Sequence, residues 1–412
     1  MDIPAELSTG ERIRVLRESR GMSRPVLAQL CGRGVEWLKK IETGERELRS
    51  HTLLLQLAAA LQVADLSVIT GTDPGGTAQP VQLGRLSNPV MPDIWAAVMT
   101  RTLTPPAGGP VDPAVLQGKA DQTWRLWHSS PRNRTEVGAL LPALIREGEH
   151  AVRVLDGKQR RAAHVALSDI YRLTGQATAY IAPAELAWVV ADRALSAAQA
   201  ADQPAAIAAS AWNMGNILRE TAYPEEALRV VLEAADLIRP HLDDGTPEDW
   251  RGIYGALQLH AAVTAAREGN EGDAWRYWGK GDQVAKNLPQ NYVHPSTVFG
   301  RANVDFHAVS IATDLRKSQK ALGLADDIDP DAMPSRERRA RLWVEVARGH
   351  LQRGDRTAAL HVMQMAHRIG AETVAYTPSA RVVAADLWRN SPRSMRAETS
   401  RLAEAVGVAT AG

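Results

Sequence analysis

The feature that most constrains this chain is the helical spacing of its apolar residues, which persists from about residue 113 to the end. Short breaks at Gly, Pro, Asn and Asp separate these segments, and no alternating β-branched run persists. The sequence therefore predicts an all-α fold. Before residue 209 the pattern predicts helices at about 114–130, 136–155, 160–175 and 184–202.

Small residues recur at a fixed spacing in the C-terminal part. Gly215, Ala227 and Ala234 form one such set, and the spacing returns in Ala347, Gly354, Ala359 and Ala366. Paired helices need small residues where they approach closely. These segments, clearest at 341–370 and 209–240, resemble tetratricopeptide repeats. The resemblance implies an α-solenoid over residues 113–412, with a concave surface lined by the first helix of each repeat.

A length of 412 residues exceeds what one hydrophobic core usually serves, so more than one unit is expected. Prolines and glycines crowd residues 72–112, where they remove backbone donors and disfavour helix. We interpret 72–112 as a linker, with a short helix possible at 93–102. Residues 1–71 then form an N-terminal domain, and residues 113–412 form the repeat domain that would dimerise or sense a ligand.

The apolar spacing in residues 9–71 predicts a domain of five short helices. The second is expected to begin after the N-cap Ser23, and the others are expected at about 9–20, 35–43, 51–61 and 66–70. Gly32 supplies the turn between the second and third helices. On the second helix, Val26, Leu27 and Leu30 predict a buried apolar stripe.

A helix, a short turn and a second helix are the elements of a helix-turn-helix, whose second helix enters the DNA major groove. Residues 16–24, 27–28, 32 and 37–46 resemble the XRE-type (phage-repressor-like) helix-turn-helix family. The segment from Arg12 to Arg49 contains ten basic residues and five acidic ones, and this local excess of positive charge favours binding to phosphates. Arginine far outnumbers lysine, which is typical of proteins from GC-rich genomes. An XRE-type head with a repeat-like tail in such a chain resembles actinobacterial regulators.

The resemblance also implies roles for individual residues of the N-terminal domain. Base-reading positions correspond to Val35, Glu36 and Lys40, and phosphate-contacting positions to Arg33, Lys39 and Arg46. Arg24 occupies a position that contacts either a phosphate or a base, and its guanidinium suits guanine. Arg17 and Glu42 match a structural ion pair of the family and are expected to stabilise the domain rather than read DNA.

Six residues are predicted to face the concave surface of the repeats. They are Trp212, Asn216, Arg219, Asn303, Arg341 and Arg348. Asparagine can hydrogen-bond a peptide backbone and arginine can hold a carboxylate. The alternative interpretation is that these residues solvate the groove or join neighbouring repeats.

Nothing in the sequence indicates an enzyme, a cofactor or a metal site. No phosphate-binding glycine loop, nucleophile elbow or zinc helix is present, and His350, His361 and His367 lack metal-ligand spacing. The single Cys31 is predicted to be a core residue and is consistent with a reducing compartment. Without a membrane-spanning stretch or a secretion signal, the expected location is the cytoplasm and no membrane partner is expected.

Three functional interpretations follow. The first is a DNA-binding transcriptional regulator that acts as a homodimer on a near-palindromic operator and senses a peptide, small molecule or protein through its repeats. The second is a protein-interaction scaffold of the tetratricopeptide type. The third is a repressor or antitoxin without a small effector.

Overall fold

The computed structural model describes residues 7–46, 48, 51–61, 63, 67–71, 86–100, 108–243 and 245–408. None of these residues lies in a strand, so the predicted all-α fold is confirmed. The chain divides into two compact units, Met1–Pro80 and Val81–Gly412, which we call the head and the C-terminal unit. Among the described residues, no helix combines the length and the apolar character needed to cross a bilayer.

The head contains the five predicted helices: α1 (Thr9–Ser19), α2 (Arg24–Leu30), α3 (Val35–Glu42), α4 (His51–Ala60) and α5 (Ser67–Thr70). Helix α1 begins with a reciprocal cap, in which the Ser8 side chain accepts from the Glu11 backbone and the Glu11 side chain accepts from the Ser8 backbone. Ile13, Leu27 and Leu38 are fully buried and bring the first three helices onto one core. Cys31 is buried in the same core, as predicted.

The apolar stripe predicted on α2 is wrong at two of its three positions. Leu27 is buried, but Val26 and Leu30 are 47% and 58% exposed, and Ala28 takes the second core position. The reason is helical geometry: Val26 and Leu30 are four residues apart and share one face, whereas Leu27 and Ala28 lie on the opposite side.

The described residues of the C-terminal unit form sixteen further α-helices and three short 3₁₀ turns. The helices are α6 (Met91–Met99), α7 (Pro113–Ser129), α8 (Asn133–Val154), α9 (Gly157–Thr178), α10 (Ala184–Ala201), α11 (Pro204–Glu220), α12 (Pro224–Ile238), α13 (Glu248–Arg267), α14 (Glu271–Lys286), α15 (Arg301–Asp314), α16 (Ser318–Asp326), α17 (Arg336–Gln352), α18 (Arg356–Ile369), α19 (Ala371–Tyr376), α20 (Pro378–Asn390) and α21 (Arg396–Ala405). The four helices predicted before residue 209 match α7 to α10. Consecutive helices pack pairwise into a repeat-like stack.

The segment predicted as a linker is only partly described, because residues 72–85 and 101–107 lie outside the described part of the chain. Its remaining residues include α6, close to the short helix predicted at 93–102. Ile94 and Val98 of α6 are buried in the core that also contains α7 and α8. Helix α6 is therefore part of the packed C-terminal unit.

The first helices of the C-terminal unit also touch its late helices. His128 of α7 lies 3.1 Å from the Ser335 hydroxyl, just before α17, and 3.1 Å from the Pro295 carbonyl oxygen. The Glu372 carboxylate of α19 accepts from the backbone N–H groups of Arg134 and Thr135 at 2.8 and 3.2 Å. These groups belong to the first turn of α8, where a carboxylate satisfies donors that have no partner within the helix. The stack therefore closes on itself and its inner surface becomes the wall of a cavity.

Candidate DNA interface and candidate ligand cavity

Helix α3 separates a buried face from an exposed one. Leu38 and Ile41 are buried in the head, whereas Val35 and Lys40 are exposed. Glu36 and Lys39 are also exposed and form a weak pair across one turn, with Lys39 Nζ 3.8 Å from Glu36 Oε2. An exposed pair of this kind contributes little stability, so both side chains can exchange it for other partners.

The loops on either side of α3 carry the other two predicted phosphate contacts. The chain turns between α2 and α3 at Gly32, whose φ of +62° favours glycine. The next residue, Arg33, is exposed, and its backbone N–H donates to the Ala28 carbonyl oxygen at 2.8 Å. Arg46 is exposed beyond the other end of α3, and its backbone N–H donates to the Lys40 carbonyl oxygen at 2.9 Å.

A buried ion cluster fixes α3 against α1 and α2. Glu42, whose side chain is fully buried, accepts from Arg17 Nε at 2.6 Å and from Arg17 Nη2 at 3.0 Å, so the predicted structural pair is confirmed. The Glu42 carboxylate also accepts from Arg24 Nε at 2.7 Å. Arg24, predicted to read DNA, is thus held by Glu42 with its side chain 36% exposed. The hydrogen bonds to Glu42 raise the pKa of the Arg17 guanidinium.

The second candidate site is the cavity enclosed by the C-terminal unit, with a volume of 410 Å³. Five of the six residues predicted to face the concave surface line it: Trp212, Asn216, Arg219, Arg341 and Arg348. The structure does not bring Asn303 to this cavity. Asn303 is buried and lines a separate cavity of 420 Å³ beside residues 290–293 and 327–334.

The wall of this first cavity, which we call the arginine cavity, is strongly charged. It carries six arginines and four carboxylates, namely Arg134, Arg219, Arg267, Arg338, Arg341, Arg348, Glu220, Asp314, Glu337 and Glu345. Arg348 donates to Asp314 at 2.8 Å and to Glu345 at 2.5 Å, and Arg341 donates to Glu337 at 3.3 Å. The carboxylates and arginines therefore partly neutralise each other, and the wall keeps an excess of positive charge.

Burial shifts the acid–base behaviour of this wall. Burial and the neighbouring Arg267 lower the pKa of Arg219 to about 9, while burial raises the pKa of the Glu220 carboxyl. Burial also lowers the pKa of His307 to about 3, so this histidine is neutral. Tyr180 hydrogen-bonds Glu220 and has a φ of +66°, a left-handed conformation that costs a non-glycine residue about 1–3 kcal/mol.

Several wall residues were missed by the sequence reasoning, including Arg134, Tyr180, Arg267 and Arg338. They lie on helices α8 and α17 and near the ends of α9 and α13. Arg267 and Arg338 look like solvated helix positions in the sequence, and no local signal distinguishes them. No group of three or more His, Cys, Asp or Glu side chains among the described residues is placed to hold a metal ion.

Comparisons with known proteins identify the domain type of the head but not that of the C-terminal unit. Residues 9–67 match the family described as "Helix-turn-helix domain", so the N-terminal part is a helix-turn-helix domain. Comparison with curated proteins gave no match. Among solved structures, ComR from S. thermophilus, in complex with DNA and its signalling peptide ComS, has 13% identity and a TM-score of 0.28, covering 88% of this chain and 99% of that chain. ComR from Streptococcus suis has 16% identity and a TM-score of 0.16, covering 68% of this chain and 89% of that chain.

Proposed function

We propose that the protein is a sequence-specific DNA-binding transcriptional regulator with an XRE-type head and a tetratricopeptide-like sensor domain. The observation that carries the proposal is the division of α3, whose Leu38–Ile41 side is buried while Glu36 and Lys40 remain exposed on a helix-turn-helix. A helix held in this way can enter a major groove without unfolding the head.

The exposed residues divide into two groups with different expected roles. Val35, Glu36 and Lys40 would contact base edges, where Lys40 suits guanine and Glu36 suits the cytosine amino group. Arg33, Lys39 and Arg46 would contact phosphates and fix the register of the head on the duplex. Arg24 would contribute through the exposed part of a side chain whose Nε is held by Glu42.

One head covers only a half-site, so the proposal includes a homodimer on a near-palindromic operator. The arginine cavity would be the sensor: an effector bound there would favour one arrangement of the dimer and so change its DNA affinity. Coupling between such sites is usually about 1–3 kcal/mol, which corresponds to about a 5- to 150-fold change in affinity.

The test first selects genomic DNA fragments that bind to the immobilised full chain. The affinity for one selected fragment is then measured at several salt concentrations. Lys40→Ala is expected to weaken binding about 5- to 150-fold and to relax the preference at one base position. Lys39→Ala is expected to weaken binding to all fragments alike and to reduce the slope of log K against log salt by about 1.

Lys158→Ala is the matched control, because Lys158 is an exposed lysine of the C-terminal unit. It is expected to leave DNA affinity unchanged. If the wild type retained no fragment at low ionic strength, or if Lys40→Ala bound as the wild type does, the regulator proposal would fail and a protein-interaction scaffold would explain the fold better.

A further inference from the structure

The charge pattern of the arginine cavity is incomplete without a ligand. Arg341, Arg348 and Arg267 have carboxylates nearby; the last lies 3.6 Å from Asp314. Arg134 donates to three carbonyl oxygens at the end of α9, at 2.8 to 3.1 Å, and so stabilises the negative end of that helix. Arg267, Arg341 and Arg348 are thus paired within the protein, whereas Arg134 keeps a buried Nε without a hydrogen bond.

Arg219 is different. Its Nη2 donates to the Asn216 amide oxygen at 2.7 Å and its Nη1 to the Thr264 hydroxyl at 3.3 Å, both neutral groups. Its Nε is buried and has no hydrogen-bond partner. The neighbouring Glu220 acts on Arg219 only through space, without a hydrogen bond or ion-pair contact. Desolvation of the guanidinium is therefore costly, because no carboxylate contacts it directly.

Further donors on the same wall also lack a hydrogen bond. Arg338 Nε and Asn213 Nδ2 are buried without one, and these residues are only 8% and 2% exposed. Arg338 Nε lies 3.5 Å from Glu337 Oε2, an ion pair without hydrogen-bond geometry. A buried donor without a hydrogen bond is costly, so several of them on one cavity wall need a common explanation. A ligand with several acceptor oxygens and a negative charge would satisfy those of Arg219, Arg338 and Asn213 together.

The closed ring limits the size of that ligand. The contacts of His128 and Glu372 join the first helices to the late ones, so the inner surface is not a groove that is open along its whole length. A cavity of 410 Å³ lies within the range of small-molecule sites, about 300–1,000 Å³. Trp127, Trp212 and Phe306 offer apolar surface beside the charged groups.

We infer that the arginine cavity binds a compact organic carboxylate, with its oxygens toward Arg219, Arg338 and Asn213 and its planar apolar part against the aromatic side chains. The inference deepens the proposed function, on which it rests only in taking this ligand to be the effector. It replaces the open peptide groove expected from the repeats with an enclosed site for a small anion.

The first test needs no ligand. Arg219→Gln in the full chain removes a desolvated charge that no carboxylate contacts directly, so the melting temperature of the C-terminal unit is expected to rise by about 2–4 °C. Arg229→Gln is the matched control, since Arg229 is exposed and pairs only with Glu233 across one helical turn. A melting temperature of Arg219→Gln below that of the wild type would overturn the inference, because it would make Arg219 a structural residue.

The second test uses 2-naphthoate and its neutral amide, 2-naphthamide, as probes in calorimetric titrations of the full chain. The carboxylate is expected to bind at least about tenfold more tightly than the amide, and Arg219→Gln is expected to remove that preference while Arg229→Gln keeps it. Equal binding of the two probes, or no binding of the carboxylate at about 10 mM, would overturn the inference.

DNA binding separates this inference from the proposed function. If 2-naphthoate binds with the expected preference but the affinity for a retained DNA fragment does not change, the anion site stands and its role as effector site fails. If the wild type retains DNA and Lys40→Ala does not, while neither probe binds, the regulator stands and the anion site fails.

Discussion

The buried cluster around Glu42 allows the head to be tested by one substitution. The Glu42 side chain has no exposed surface and accepts two hydrogen bonds from Arg17 and one from Arg24. Glu42→Gln keeps the size of the side chain but removes its charge and turns an NH₂ group toward a guanidinium. Arg17, whose side chain is only 7% exposed, would then keep only the half-exposed Glu18 as a counter-charge.

The magnitude follows from the burial of each partner. Removing one partner of a buried ion pair costs about 3–5 kcal/mol, because the remaining charge stays desolvated. The contact with Arg24 adds little, since that side chain is 36% exposed and screened by water. Because Gln keeps one acceptor oxygen, we expect a loss at the lower end of this range, about 3 kcal/mol. Such a loss raises the equilibrium constant for opening of the head more than a hundredfold.

Hydrogen exchange followed by mass spectrometry on the full chain measures this change locally. Backbone amides of α1 to α3 are expected to lose about a hundredfold in protection, while those of α9 to α18 keep theirs and serve as an internal reference. Glu18→Gln is the matched control: Glu18 also accepts from Arg17, at 3.2 Å, but is 51% exposed. Its effect is expected to stay below about fivefold.

Equal losses of protection in Glu42→Gln and Glu18→Gln would contradict a stabilising role of the buried pair. That result would mean that the head is stabilised by its apolar core alone and that the Arg17–Glu42 pair adds nothing. A loss of protection that extended into α9 to α18 would also contradict the assignment of this cluster to the head.

Two further predictions concern stability in each unit. Gly10→Ala is expected to lower the free energy of unfolding of the head by about 3 kcal/mol or more, because a Cβ there would lie 2.0 Å from the Ile41 carbonyl oxygen. Hydrogen exchange of the α1 amides measures this loss. Gly118→Ala is the control and should leave stability unchanged, because its Cβ would meet no atom within 4 Å. Three histidines of the C-terminal unit have pKa values that burial lowers to between about 3 and 4: His128, His294 and His307. Below pH 6.5 these histidines bind protons in the unfolded chain but not in the folded one. The free energy of unfolding should therefore fall by about 1.4 kcal/mol per pH unit for each histidine, down to about pH 4. Equal free energies of unfolding at pH 7 and pH 5, measured by urea denaturation, would contradict this.

Much of the head could be predicted because local rules decide it. The number of helices, the turn at Gly32 and the Arg17–Glu42 pair each follow from residues close in sequence or from a specific family pattern. The error on α2 has a physical source: apolar side chains are common on protein surfaces, so Val26 and Leu30 could not be recognised as exposed from hydrophobicity alone. The roles of the exposed α3 residues on DNA stay predictions.

The C-terminal unit shows where sequence reasoning stops. The repeat register predicted one inner surface for Trp212, Arg219, Arg341 and Asn303; the first three line the arginine cavity, whereas Asn303 lines the separate one. Helix α14 ends at Lys286 and α15 begins at Arg301, and this long connection breaks the phase carried over from neighbouring repeats.

The closure of the stack could not be predicted either, because it depends on contacts between residues about two hundred positions apart, such as His128 with Ser335. Closure changes the chemistry of the inner arginines. On an open groove Arg219 would be hydrated and would need no partner, whereas inside a ring it must find an acceptor or destabilise the fold. The same side chain is therefore unremarkable in the sequence and informative in the structure, which is why Arg219→Gln distinguishes a binding site from a solvated surface.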